Sequence, residues 1–216
     1  MTTITAGTSL GSGLVYDSDT TGNLVIKTGD SATIAATFHG NSATTFNGSV
    51  YIGGGATPVN PLTLGTANTS VSGGTVIVHG SIPTWARRVT IMYSALSTNG
   101  ISPIVIQLAT GGTFKTSGYL GAAAVIEGAT GYTVGFGIGN SNVSSTDSQH
   151  GSLTLNLLDP ATNTWIAGGT AARSDGVEAG LTSGAVSLTG ALDSIRFTTI
   201  GGTDLFDVGM TNIMWE

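Results

Sequence analysis

The chain has 216 residues, a formal net charge of −6 and no cysteine. Only 8% of its residues are charged, against roughly 25% in an ordinary soluble domain, and Gly, Ser and Thr together supply more than two residues in five. This excludes a disulfide scaffold and a thiolate metal site, and it leaves helix a minor state, because Gly and Ser form helix poorly and the branched Thr favours strand.

The first region, residues 1–55, reads as short strands between turns. Leu14-Val15-Tyr16 and Leu24-Val25-Ile26-Lys27 flank a polar run, Asp17 to Asn23, that places Gly22 and Asn23 where a hairpin turn needs a positive φ. Further strands are expected near Ala32–Phe38 and Ser49–Ile52. These strands hold too few large apolar residues to bury a core alone, so identical copies in an oligomer are the expected partners. Residues 56–73, opened by Gly53-Gly54-Gly55 and carrying Pro58 and Pro61, read as a linker or irregular crossing segment.

From residue 74 to residue 216 the period-two pattern strengthens. Val89, Ile91 and Tyr93 alternate with Arg88, Thr90 and Met92, and Leu153, Leu155 and Leu157 with Ser152, Thr154 and Asn156. Ile104, Ile106 and Leu108 share a face, as do Ile195 and Phe197. Such alternation means half-buried strands. Others are expected at Thr75–Val78, Tyr119–Ile126, Tyr132–Ile138, Thr164–Ala167, Ala185–Leu188 and Leu205–Trp215. Turn signals separate them at Thr98-Asn99-Gly100, Gly111-Gly112, Asp159-Pro160, Asn163 and Gly201-Gly202. The expectation is an all-β chain: a short N-terminal attachment and oligomerisation module, then an antiparallel, jelly-roll-like β-sandwich.

The six basic residues, Lys27, Arg87, Arg88, Lys115, Arg173 and Arg196, are scattered. They form no stripe to hold a phosphate backbone, so neither nucleic acid nor an anionic membrane surface is an expected partner. Met1-Thr2-Thr3-Ile4-Thr5 has neither the positive nor the apolar region of a signal peptide, and no apolar run of about 18 residues occurs. Synthesis in a cytoplasm without a signal peptide, and no membrane insertion, are expected.

Several motifs look chemical. Gly7-Thr8-Ser9-Leu10-Gly11 matches a nucleophile elbow in spelling but lacks the strand before and the helix after. Asp17, Asp19 and Gly22 begin like a calcium loop, but Thr21 and Thr28 stand where further oxygen ligands belong. His39, His79 and His150 have no neighbouring ligand at metal spacing, although a threefold axis would gather three copies of any one of them. Gly135, Gly137 and Gly139 lack the helix of a dinucleotide site and instead fit a bulge or close strand crossing. The acid pairs Asp204 with Asp207 and Asp175 with Glu178 sit in glycine-rich loops rather than a glycosidase cleft. Trp85, Trp165 and Trp215 are either core and interface anchors or sugar-stacking rings, with Trp165 open between the two. No catalytic, cofactor-binding or metal site is expected, and no cofactor.

The segment Ser12 to Thr28 (Ser-Gly-Leu-Val-Tyr-Asp-Ser-Asp-Thr-Thr-Gly-Asn-Leu-Val-Ile-Lys-Thr) resembles a recurrent module of tail and fibre proteins of tailed bacteriophages. Ile82 to Thr90, Ser97 to Gly100, Thr116 to Tyr119, Ala191 to Arg196 and Gly202 to Gly209 resemble the C-terminal domain that often follows it. These segments are spread from residue 12 to residue 209. The resemblance implies a virion structural protein, made in the host cytoplasm and carried on the virion surface, with no catalytic residue to transfer. A tail appendage, a head fibre and a capsid decoration protein all fit it. The partners it implies are the chain itself, as a homotrimer, other capsid or tail proteins, and a host cell-surface glycan. A lectin-like glycan-binding module is the alternative.

Overall fold

The structure, a computed structural model, describes residues 62–69, 71–125, 128–139, 144–174 and 178–216, and before them the backbone of four strands. The chain divides into two compact units, Met1–Asn60 and Pro61–Glu216. In the first, β1 (Asp17–Ser18), β2 (Leu24–Thr28), β3 (Thr33–Phe38) and β4 (Thr44–Phe46) form an antiparallel sheet in chain order. β2 and β3 fall where strands were expected. The expected strands at Leu14–Tyr16 and Ser49–Ile52 lie outside the described residues.

The second unit is an antiparallel β-sandwich, and no helix occurs among its described residues. One sheet holds β5 (Thr63–Leu64), β7 (Arg88–Thr98), β10 (Leu120–Val125), β11 (Gly128–Tyr132), β13 (Gln149–Asp159), β14 (Thr164–Arg173), β15 (Glu178–Ser187) and β17 (Phe206–Trp215). Their spatial order is β11-β10-β15-β14-β13-β7-β17-β5. The other sheet holds β6 (Val76–His79), β8 (Ile104–Thr110), β9 (Thr113–Phe114), β12 (Phe136–Gly137) and β16 (Ser194–Thr199), ordered β12-β8-β16-β6 with β9 paired to β8.

Alternation fixes which residues face between the sheets. Register pairs Leu155 with Val89 on one side and Ala167 on the other, and Leu153 with Ile91 and Gly169. In the smaller sheet Phe197 lies between Ile77 and Ile106, and Ile195 between His79 and Leu108. These inward residues, with Trp165, Val186, Phe136, Tyr119 and Phe206, make one buried cluster. Tyr119 closes a loop over it. The Tyr119 hydroxyl accepts a hydrogen bond from the Leu108 N–H at 2.8 Å and donates to the Lys115 carbonyl at 3.1 Å. Burial pushes its pKa up to about 12, a departure large enough to mark a phenol held in a largely dry site.

One expectation is narrowed and one needs correction. Of the two readings of residues 56–73, a linker or an irregular crossing segment, the described part, 62–69 and 71–73, follows the second. β5 pairs with β17 through Leu64 and Met214, and the N–H groups of Gly65, Asn68 and Gly73 donate to the carbonyls of Ile213, Thr211 and Phe206. Small polar residues carry no periodic signal, yet they let the backbone lie along a sheet edge and satisfy its hydrogen bonds there. The run Tyr132–Ile138 is not one strand: β11 ends at Tyr132 and only Phe136–Gly137 pairs with β8. At Gly135 the backbone passes so close to β8 that a Cβ would sit 2.9 Å from the Ile106 carbonyl oxygen. The glycines permit that crossing.

Candidate functional site

Of the residues singled out in the sequence, Gly7 to Gly11, Asp19, Gly22, His39 and Asp175 lie outside the described residues. Asp17 and Thr28 belong to β1 and β2. The two described histidines lie on opposite faces. His79 points inward from β6, where its Nε2 and the Thr211 hydroxyl of β17 are 2.8 Å apart, joining the two sheets. Its ring meets Phe197 edge-on at 6.4 Å, and burial lowers its pKa below the ordinary 6.5. His150 lies on the outward face of β13. Its Nδ1 accepts the Ala95 N–H at 3.2 Å, and its Nε2 lies 3.2 Å from the Ser174 hydroxyl.

The acids are occupied locally. Asp204 accepts the Ser102 N–H at 2.8 Å. Glu178 pairs with Arg173 at 3.2 Å, and Arg173 also pairs with Asp147 at 3.1 Å. The Asp159 carboxylate accepts from the Thr162 hydroxyl at 2.7 Å and the Ala161 N–H at 2.9 Å. These bonds hold its pKa below the usual carboxylate value and shape the turn from β13 to β14. Among the described residues no three His, Cys, Asp or Glu gather as a metal site would require.

Trp85 and Trp215 are partly buried against the core, whereas Trp165 lies within it, 2% exposed. Trp165 is therefore not a sugar-stacking ring. Its indole N–H is buried without a hydrogen-bond partner.

The broadest surface feature is the outward face of the larger sheet. Register sets Leu120, Ala122 and Ala124 of β10 beside Ala185, Ser183 and Leu181 of β15. Ile166, Gly168 and Thr170 of β14 follow, then Asn156, Thr154 and Ser152 of β13, then Arg88, Thr90 and Met92 of β7. Arg88 is paired with Glu216 at one end of this face and His150 marks the other. Between them the outward positions carry no charge. Large apolar side chains stand exposed instead: Leu120 at 77%, Leu181 at 66% and Leu64 at 65%. Two troughs run between them. One of about 650 Å³ is lined by Ala124, Ala172, Ala179 and Leu181; the other, of about 310 Å³, by Leu64, Met92 and Met210.

Comparison of the chain with protein families, with curated proteins and with solved structures finds no match.

Sequence reading missed the outward face because alternation was used to locate the core. The same parity, read for what the polar positions lack, marks it: Thr, Ser, Ala and Gly where a solvated sheet would carry Lys and Glu.

Proposed function

We propose that the chain is a non-enzymatic structural subunit of a phage virion surface appendage, assembling as a homotrimer. The observation that carries the assembly reading is the uncharged outward face of the larger sheet, with Leu64, Leu120 and Leu181 exposed on it. Exposed apolar side chains at both margins of an uncharged sheet face mark an interaction surface. A second copy of the same chain fits it best. Copies that each carry a net charge of −6 repel wherever their acids face, and this face lets them approach without that repulsion.

Placement on a virion is supported by the resemblance of Ser12 to Thr28 and of the later segments to phage appendage proteins. The occupied state of Asp204, Glu178 and Asp147 fits a scaffold better than a hydrolase, since paired catalytic acids must be free to face a substrate. Tail, head fibre and capsid decoration are all compatible with this reading. A density map of purified particles tests it: the sandwich should be found on the particle surface, and absence of the chain from purified particles would overturn the virion reading.

A further inference from the structure

β7 does not run evenly along β13. Gln149 pairs with Leu96 and Gly151 with Tyr93, so Ser94 and Ala95 together stand opposite His150. This is a β-bulge, in which the extra residue falls out of the ladder. Ala95 has φ 50°, a left-handed conformation that a residue with a Cβ adopts only at a cost. On the other side Gly209 of β17 fits against the bulge, where a Cβ would sit 2.7 Å from the Leu96 Cα. The His150 imidazole serves the bulged backbone. Its Nδ1 accepts the Ala95 N–H at 3.2 Å and lies 3.3 Å from the Ser94 hydroxyl, and its Nε2 lies 3.2 Å from the Ser174 hydroxyl.

A backbone N–H can only donate, so Nδ1 is the unprotonated ring nitrogen and the proton sits on Nε2, towards Ser174. Only the neutral ring makes this bond. A second proton turns Nδ1 into a donor and sets it against the Ala95 N–H. The same imidazole lines the trough of about 650 Å³ with Ala124, Ala172, Ala179 and Leu181, and it is the one titratable group of that lining. The strands around it bring no charge to this face among the described residues. β10 has no charged residue, and β7 has only Arg88, at its far end and paired with Glu216. β17 has only Asp207, while Met210 is the residue set beside Ser94. Arg173 of β14 and Glu178 of β15 are in register with the buried Gln149, on the parity opposite to His150, and Arg173 pairs with Glu178 and Asp147 there.

We propose that His150 is a pH-sensitive latch on the outward face: neutral, it holds the β7 bulge, and protonated, it releases the Ala95 N–H and places a charge in the trough. The consequence for assembly rests on the reading of this face as the contact between copies. Under that reading, assembly loosens as the pH falls through the range in which histidines take up a proton, about pH 8 to 5. The sign separates the latch from general electrostatics. Acid makes copies of net charge −6 less negative, which weakens their mutual repulsion and by itself favours association. A loss of assembly in acid therefore needs a local cause.

The test has a local arm and an assembly arm, both on the full-length protein. In the ¹⁵N-labelled protein the His150 ring, assigned by the loss of its resonances in His150→Gln, should show an unprotonated Nδ1 and a protonated Nε2 at about pH 8. The Ala95 amide resonance should then move with the same midpoint as the His150 ring on acidification. A protonated Nδ1 at the upper pH, or an Ala95 amide that does not follow the ring, would overturn the latch. His150→Gln gives Ala95 a side-chain carbonyl as an acceptor that does not titrate, and it leaves His79 in place. Sedimentation velocity at about pH 8 and about pH 5 should show wild-type association weakened about tenfold in acid, the loss of one hydrogen bond per contact, and that of the variant unchanged. Equal losses in both proteins would assign the acid effect to another group and overturn the proposal. A monomer at both pH values would remove the assembly reading instead, and the Ala95 and His150 resonances would still decide for or against the latch.

Discussion

The two faces of the larger sheet are made by the same strands and differ in almost every respect. Along β13 the inward residues Leu153 and Leu155 are buried, with Leu155 at 0% exposure. The outward Ser152, Thr154 and Asn156 between them are small or polar. On the inward face the alternating large residues specify the fold, because a slip of one position would turn every one of them to solvent. On the outward face large residues do not alternate in this way, and the uncharged residues there suit the contact with another copy proposed above.

The largest expected effect is on the inward face. Leu155→Ala removes buried atoms from a central strand and should cost about 2–5 kcal/mol, read as a lowered midpoint in denaturant melts of the full chain. An unchanged midpoint would mean that the two faces are not distinct.

Leu181→Glu sharpens the contrast from the other side. In the proposed assembly, burying Leu181 between copies would contribute roughly 1.5–3 kcal/mol, and a carboxylate there would add repulsion between subunits of the same sign. The variant should lose assembly in sedimentation velocity while retaining the far-ultraviolet circular dichroism of the wild type. Retained assembly would remove this face from the interface.

A smaller effect concerns the link between the sheets. Burial holds His79 neutral with a pKa below the ordinary 6.5, so the unfolded chain takes up the proton first as the pH falls. Stability should be level above about pH 6.5 and decline below it. His79→Gln, which keeps a polar group near Thr211, should flatten that acid limb in thermal melts. If the limb persists unchanged, other groups cause it. The smallest effect belongs to Thr154→Ala on the outward face, which should stay within about 0.5 kcal/mol. A cost equal to that of Leu155→Ala would contradict the two-faced description.

The fold was legible where large residues alternate. Val89 to Tyr93, Ile104 to Leu108, Leu153 to Leu157 and Ile195 to Phe197 all lie in strands that build the core. It was not legible where small residues do the pairing. Glu178–Gly184, the first part of β15, escaped notice because Ala, Gly, Thr and Ser give no periodic contrast, although ten consecutive pairs join β15 to β14. The path of residues 62–73 along β17 escaped for the same reason.

The outward face was half legible. Alternation marks which residues turn away from the core, but only the strand register brings Leu120 of β10, Leu181 of β15 and Ile166 of β14 onto one face.

The central claim is that the uncharged outward face exists to meet copies of the chain. Sedimentation velocity of the full-length protein at micromolar concentration tests it most directly. The account predicts a single species of three chains, each of 21.5 kDa, that survives mild denaturant. A monomer at that concentration would contradict it.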